Sequence, residues 1–84
     1  MTEQEKVILH SIDPKFKYIA RDENGDLYVY ENEPERQLTI WNDDACGYVS
    51  DMIAFNHLFK SVSWEDEAPT LIADLLQGGE IDEI

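Results

Sequence analysis

The sequence predicts an α+β fold: a three- to four-stranded antiparallel sheet built on a β-hairpin, with two short helices packed on one face. Three observations predict it. Two runs rich in Tyr, Ile and Val flank Asn24-Gly25 within residues 18–31, the pattern of a tight hairpin. Leu71, Ile72, Leu75 and Leu76 recur at i, i+1, i+4 and i+5, which is the stripe of an amphipathic helix. Tyr48, Met52, Phe55 and Phe59 recur at i, i+4, i+7 and i+11, which suggests a second helix.

The hairpin admits two registers. A two-residue loop places Ile19 opposite Tyr30. A three-residue loop with Gly25 as a bulge places Ile19 opposite Val29 and Tyr18 opposite Tyr30. The bulged form is preferred, because it gathers Ile19, Leu27 and Val29 on one face and Tyr18, Ala20, Tyr28 and Tyr30 on the other. Its cost is a like-charge pair, Asp22 opposite Asp26. Arg21 is expected to meet Tyr28 and Glu31 in a cation–π or ion-pair contact.

The remaining elements follow in order. Residues 1–6 are polar and read as a loose lead-in. Val7 to Ile12 is apolar enough for an edge strand or one helical turn, and Asp13-Pro14 ends it. Glu33-Pro34-Glu35 punctuates the chain after the hairpin. Arg36 to Trp41 alternates and is rich in β-formers, so a third antiparallel strand is expected there. Asn42-Asp43-Asp44 has the character of a helix start, and the helix is expected near 48–59, weakened at Gly47. Ser61 to Trp64 reads as a fourth strand or a tether. Pro69 opens the last helix, expected over 69–77. Gly78-Gly79 is expected to end it, leaving 80–84 as a loose acidic tail.

With 84 residues the chain is expected to form a single small domain. A chain this short buries only about 60–65% of its unfolded surface, so the core is small. Nineteen acids against six bases give a net charge of −13. Residues 1–42 hold nine acids and five bases, and residues 43–84 hold ten acids and Lys60 alone, so the second half is the more acidic. Direct binding to nucleic acid or to an anionic membrane is disfavoured by that charge, whereas a basic protein partner is favoured. Cys46 is the single cysteine, no apolar run approaches a membrane span, and no signal peptide is read at the start, which together suggest a cytoplasmic protein.

Motifs for chemistry are weak. Asp22 to Asp26 superficially suggests a calcium loop, but an EF-hand with Gly25 at its sixth position would begin at Ala20, which offers no side-chain oxygen. Cys46, His10 and His57 have no zinc-like spacing. There is no nucleophile elbow and no glycine-rich phosphate loop. The chain is therefore expected to be no enzyme and to need no metal or cofactor.

The order of the pieces resembles small acidic proteins of bacteriophage and prophage genomes. The resemblance is carried by Ile19 to Tyr30, Pro34, Trp41 and Leu58 to Pro69, and spans roughly residues 16–72. Its most specific landmarks are Arg21-Asp22 and Trp64-Glu65-Asp66-Glu67. Relatives often carry Pro after the Leu-Phe step, where this chain has Lys60. The resemblance implies a phage-derived accessory protein in a bacterial cytoplasm, and it carries over no catalytic or binding residue.

What remains is an interaction module, an inhibitor or adaptor for a host or phage protein. Its candidate contact residues are Glu31, Glu33, Glu35, Asp43, Asp44, Glu65, Asp66, Glu67, Tyr28 and Tyr30. Acids at alternate positions of an extended chain lie about 6.8 Å apart, comparable to adjacent phosphates on one strand, so Glu31, Glu33 and Glu35 could mimic DNA before a nucleic-acid enzyme. The alternative is a self-assembling accessory component, a homodimer whose main partner is its own copy.

Overall fold

The computed structural model describes residues 1–42 and 47–82. Two helices and a four-stranded antiparallel sheet form the body, with a separate two-stranded sheet. The elements are α1 (Glu3–Ser11), β1 (Tyr18–Arg21), β2 (Leu27–Tyr30), β3 (Glu35–Arg36), β4 (Trp41–Asn42), β5 (Val49–Asp51), β6 (Thr70–Leu71) and α2 (Ile72–Asp82), with a single 3₁₀ turn at Ile53–Phe55. The large sheet runs β5-β2-β1-β6, and β3 pairs with β4.

The hairpin takes the bulged register. Tyr18 faces Tyr30, Ile19 faces Val29, and Arg21 faces Leu27. At the tip, Gly25 N–H donates to Asp22 C=O and Asp22 N–H donates to Asp26 C=O, both at 2.9 Å. Gly25 adopts φ +98°, a region that L side chains resist. A Cβ built there meets no atom within 4 Å, so the demand is conformational and not steric. Gly25→Ala is accordingly expected to cost about 1–2 kcal/mol in urea denaturation, through strain at this one residue. A stability equal to the parent's would show that the turn can relax to a negative φ.

The register divides the sheet into two faces with separate cores. Ile19, Leu27 and Val29 join Leu9 of α1, Ile72 of α2, and Met52, Phe59 and Val62 of the connecting segment. Ala20 and Tyr30 join Trp41 on the other face, with Tyr18, Tyr28 and Trp64 packed around them. Both helices thus cover one face, and the β3–β4 pair with Trp64 covers part of the other.

Several elements differ from the sequence expectation. The lead-in at 1–6 belongs to α1: Thr2 is its N-cap, and Thr2 and Glu5 form a capping box, the Thr2 hydroxyl accepting from Glu5 N–H and the Glu5 carboxylate from Thr2 N–H. The expected helix near 48–59 is instead β5 and the 3₁₀ turn. Gly47 and β-branched Val49 are poor helix formers, and β2 has a free edge that Val49–Asp51 satisfies. Met52 and Phe59 still reach the core, while Tyr48 is left 65% exposed. The expected strand over 36–41 is two short strands around a tight turn, closed by Gln37 N–H to Ile40 C=O at 2.8 Å, which leaves Leu38 exposed at its tip. Ser61 to Trp64 is no strand: it carries Val62 into one core and Trp64 to the other, as a tether. Lastly, α2 begins at Ile72 and runs through Gly78-Gly79 to Asp82. Pro69 precedes β6 rather than opening the helix.

Candidate functional site

The consecutive pair Arg21-Asp22 closes β1 and organises both faces. Neighbouring residues of a strand point to opposite sides, so the two charges enter different layers. The Arg21 guanidinium donates only to main-chain carbonyls: Nε to Val62 at 2.8 Å, Nη1 to Gly25 and Asn56 at 2.7 and 2.9 Å, and Nη2 to Leu58 and Phe59 at 2.8 and 3.2 Å. The expected contact with Tyr28 and Glu31 is therefore not made, because Tyr28 lies on the opposite face. Burial lowers the Arg21 pKa, but a guanidinium stays cationic throughout the ordinary pH range. The carbonyls of Asn56, Leu58, Phe59 and Val62 in the irregular segment 56–62, with that of Gly25 at the hairpin tip, converge on this one side chain.

Asp22 does the equivalent on the aromatic face. It is 6% exposed, and its carboxylate accepts the N–H of Trp41 at 2.9 Å. Burial pushes its pKa up. The Trp41 N–H opposes that shift, and nearby Asp26 adds to it. Trp41 in turn accepts the Tyr30 hydroxyl at its carbonyl, at 3.2 Å, and packs edge-on against Trp64, ring centroids 6.3 Å apart. Arg36 stacks on Trp64 at 4.2 Å and donates to the Asp66 carbonyl, so β3 is held against the 63–66 turn.

This arrangement places the expected contact residues unequally. Tyr30 is 2% exposed and belongs to the core, so it offers no contact surface. Tyr28 stays half-buried. Glu31 lies at a bend; its carboxylate accepts Tyr48 N–H at 3.2 Å and its own N–H donates to Tyr48 C=O. That interrupts the evenly spaced extended run expected from Glu31 through Glu35, since only Glu35 lies in a strand. Glu33 and Glu35 are exposed. Asp66 is committed locally, accepting Ser63 N–H at 3.0 Å, whereas Glu65 and Glu67 are exposed. Arg36, next to Glu35 in β3, holds that strand to the turn that carries Glu65 and Asp66. Asp43, Asp44 and Cys46 lie outside the described residues.

A group absent from the sequence expectation surrounds Tyr28. Asp51 is its direct cross-strand neighbour, on the same face. Burial is the first cause raising the Tyr28 pKa, and the charges of Asp26, Asp22 and Asp51 follow. The bulged register gives the first half of this group from sequence, since it sets Asp22 against Asp26. Asp51 is hidden from sequence reasoning, because the spacing of its segment predicts a helix where the chain forms a strand.

On the helical side a cleft of about 650 Å³ is lined by Glu5, His57, Lys60 and Asp74, among others. Glu5 is occupied: one carboxylate oxygen accepts Thr2 N–H and the other the N–H of Phe59, whose φ is +55°. Among the described residues no three His, Cys, Asp or Glu side chains are placed to hold a metal ion, and no helix is long and apolar enough to cross a membrane. No family model matches the chain, and comparison with curated proteins and with solved structures gives no match either.

Proposed function

We propose that this chain is a non-catalytic, phage-type interaction module of a bacterial cytoplasm, an inhibitor or adaptor that binds a basic protein surface. The observation that carries the proposal is half-buried Tyr28 with Asp51 as its cross-strand neighbour on the same face, at the aromatic layer. A Lys or Arg of the partner laid against Tyr28 gains the aromatic ring and the exposed Asp51 carboxylate beside it. The net charge of −13 steers such a partner over longer range, and the resemblance to small phage proteins supplies the setting. The DNA-mimic form of the proposal has weaker support, since Glu31 is turned to Tyr48 and the row of acids is broken there.

The test is retention of bacterial proteins on the immobilised chain, eluted by rising salt. Basic proteins are expected to leave at moderate salt, because exposed charges are screened. Asp51→Asn combined with Glu65→Gln and Glu67→Gln should weaken the strongest retained protein about tenfold, at roughly 0.2–1 kcal/mol per exposed contact. Equal retention by parent and triple variant would remove the acidic surface from the account. Recovery of the bait alone, as a dimer, would move it to self-assembly.

A further inference from the structure

β5 lies at the end of the β5-β2-β1-β6 order, and all three of its residues are exposed. Its hydrogen bonding is directional. Glu31 N–H donates to Tyr48 C=O at 3.0 Å and Met52 N–H to Leu27 C=O at 2.8 Å, with Ser50 opposite Val29 between them. In an antiparallel ladder, alternate residues turn their main-chain groups the same way. Tyr48, Ser50 and Met52 therefore turn to β2, and Val49 and Asp51 turn outward. No described residue hydrogen-bonds these outward groups. The opposite edge differs. Ile72 N–H donates to Lys17 C=O, so in β6 Leu71 turns outward. Pro69 has no N–H to offer beside it, and the helix starts at once after Leu71.

The open edge has a groove beside it. A cleft of about 460 Å³ lies between α1 and β5, with Val7, Ile8, Ile12, Phe16 and Phe55 among its walls and Asp13 and Asp51 also lining it. Val7 is 56% exposed there, an apolar side chain open to solvent. A free strand edge beside an apolar trench is the geometry of strand addition: main-chain bonds hold an added strand, and alternate side chains enter the trench. We infer that the partner docks by adding an extended, basic segment to the β5 edge, its alternate apolar side chains entering the α1–β5 cleft. Charge selects this occupant. A second copy would bring −13 against −13, whereas the Lys or Arg side chains alternating with those in the cleft would fall on the Tyr28 face of the sheet, where Asp51 lies. Lys15, stacked on Tyr48 at 3.8 Å, is the nearby cation that such a segment must accommodate.

The inference rests on the acidic-module reading, and the experiment separates the two. The full chain is used to select binders from a displayed library of random dodecapeptides at low salt. Enriched peptides are expected to alternate apolar residues with Lys or Arg, and to slow exchange of the Val49 and Asp51 amide hydrogens at least tenfold. Val49→Pro removes one outward donor and leaves the β2 ladder intact, so it should weaken these peptides at least tenfold. Val7→Lys, at an exposed helical position, should also weaken them, and it keeps the test open if the proline variant does not fold. Salt-sensitive cationic binders unmoved by both variants would overturn strand addition and leave the acidic module standing. Absence of any cationic binder would overturn both. A dimer abolished by Val49→Pro would make a second copy the occupant and overturn the inference.

Discussion

Replacing Arg21 with Ala is expected to destabilise the protein by about 3–5 kcal/mol, enough to leave much of it unfolded at physiological temperature. The side chain is only half-buried, but it donates to five carbonyls of Gly25, Asn56, Leu58, Phe59 and Val62. Hydrogen bonds from a charged donor contribute about 1.5–3 kcal/mol each, and acceptors left unpaired add a desolvation cost. The sum is reduced because segment 56–62 can shift toward water once released. Arg21→Lys keeps the charge but has three donors on a flexible stem instead of a planar fork, so a loss of about 2 kcal/mol is expected. Urea denaturation of both variants checks this. A midpoint for Arg21→Ala within 0.5 kcal/mol of the parent, on the order of a surface substitution, would mean that the segment stands without it.

Glu5 carries the second large effect, and it depends on pH. Burial pushes its carboxyl up, but hydrogen bonds with the main chain of Thr2 and Phe59 and with the Thr2 hydroxyl, together with the positive charge of the amino terminus, outweigh burial, and its pKa lies below the ordinary carboxylate range. A depressed pKa means that the folded chain holds this proton less tightly than the unfolded chain. The stabilisation is therefore complete above the ordinary carboxylate range and is lost as pH falls through the depressed value. Glu5→Ala removes the capping box and leaves Phe59 N–H buried without its acceptor, at an expected cost of about 2–4 kcal/mol at neutral pH. Gln has one carbonyl oxygen where two donors need an acceptor, so Glu5→Gln should cost about half as much. Melting curves across the acid range should show the difference between parent and Glu5→Gln shrinking as Glu5 protonates. Asp22 works in the opposite sense. Its pKa is raised, so its ionised form costs stability at neutral pH, and that cost vanishes below the ordinary carboxylate range. A gap between parent and Glu5→Gln that is flat with pH would place the effect of Glu5 in its shape and not its charge.

What was legible in the sequence was local. The Gly25 bulge, the face assignment of Ile19, Leu27 and Val29, and the amphipathic stripe around Leu75 depend on residues within a few positions of each other. What was not legible depended on distant partners. Val49–Asp51 is a strand because β2, about twenty residues earlier in the chain, leaves an edge to be satisfied. Met52, Phe55 and Phe59 mimic a helical stripe because a strand end, a 3₁₀ turn and a left-handed residue happen to return side chains to the same core. Arg21 was legible as a landmark but not as a fastener, since its acceptors are main-chain groups and leave no mark in residue type. The candidate site follows the same division. Asp22 and Asp26 could be paired from the turn alone, whereas Asp51 required the fold.

The two faces of the sheet also divide the molecule spectroscopically. Trp41 and Trp64, the chain's two tryptophans, both lie in the aromatic layer, whereas α1 and α2 pack on the other side. Tryptophan emission therefore reports the layer held by Asp22, and far-ultraviolet ellipticity near 222 nm reports the layer held by Arg21 and Glu5. In a single all-or-none transition the two signals superimpose. Where they part, the gap between the curves measures how far the aromatic layer, and with it the Tyr28 patch, can loosen while the helical layer stays in place.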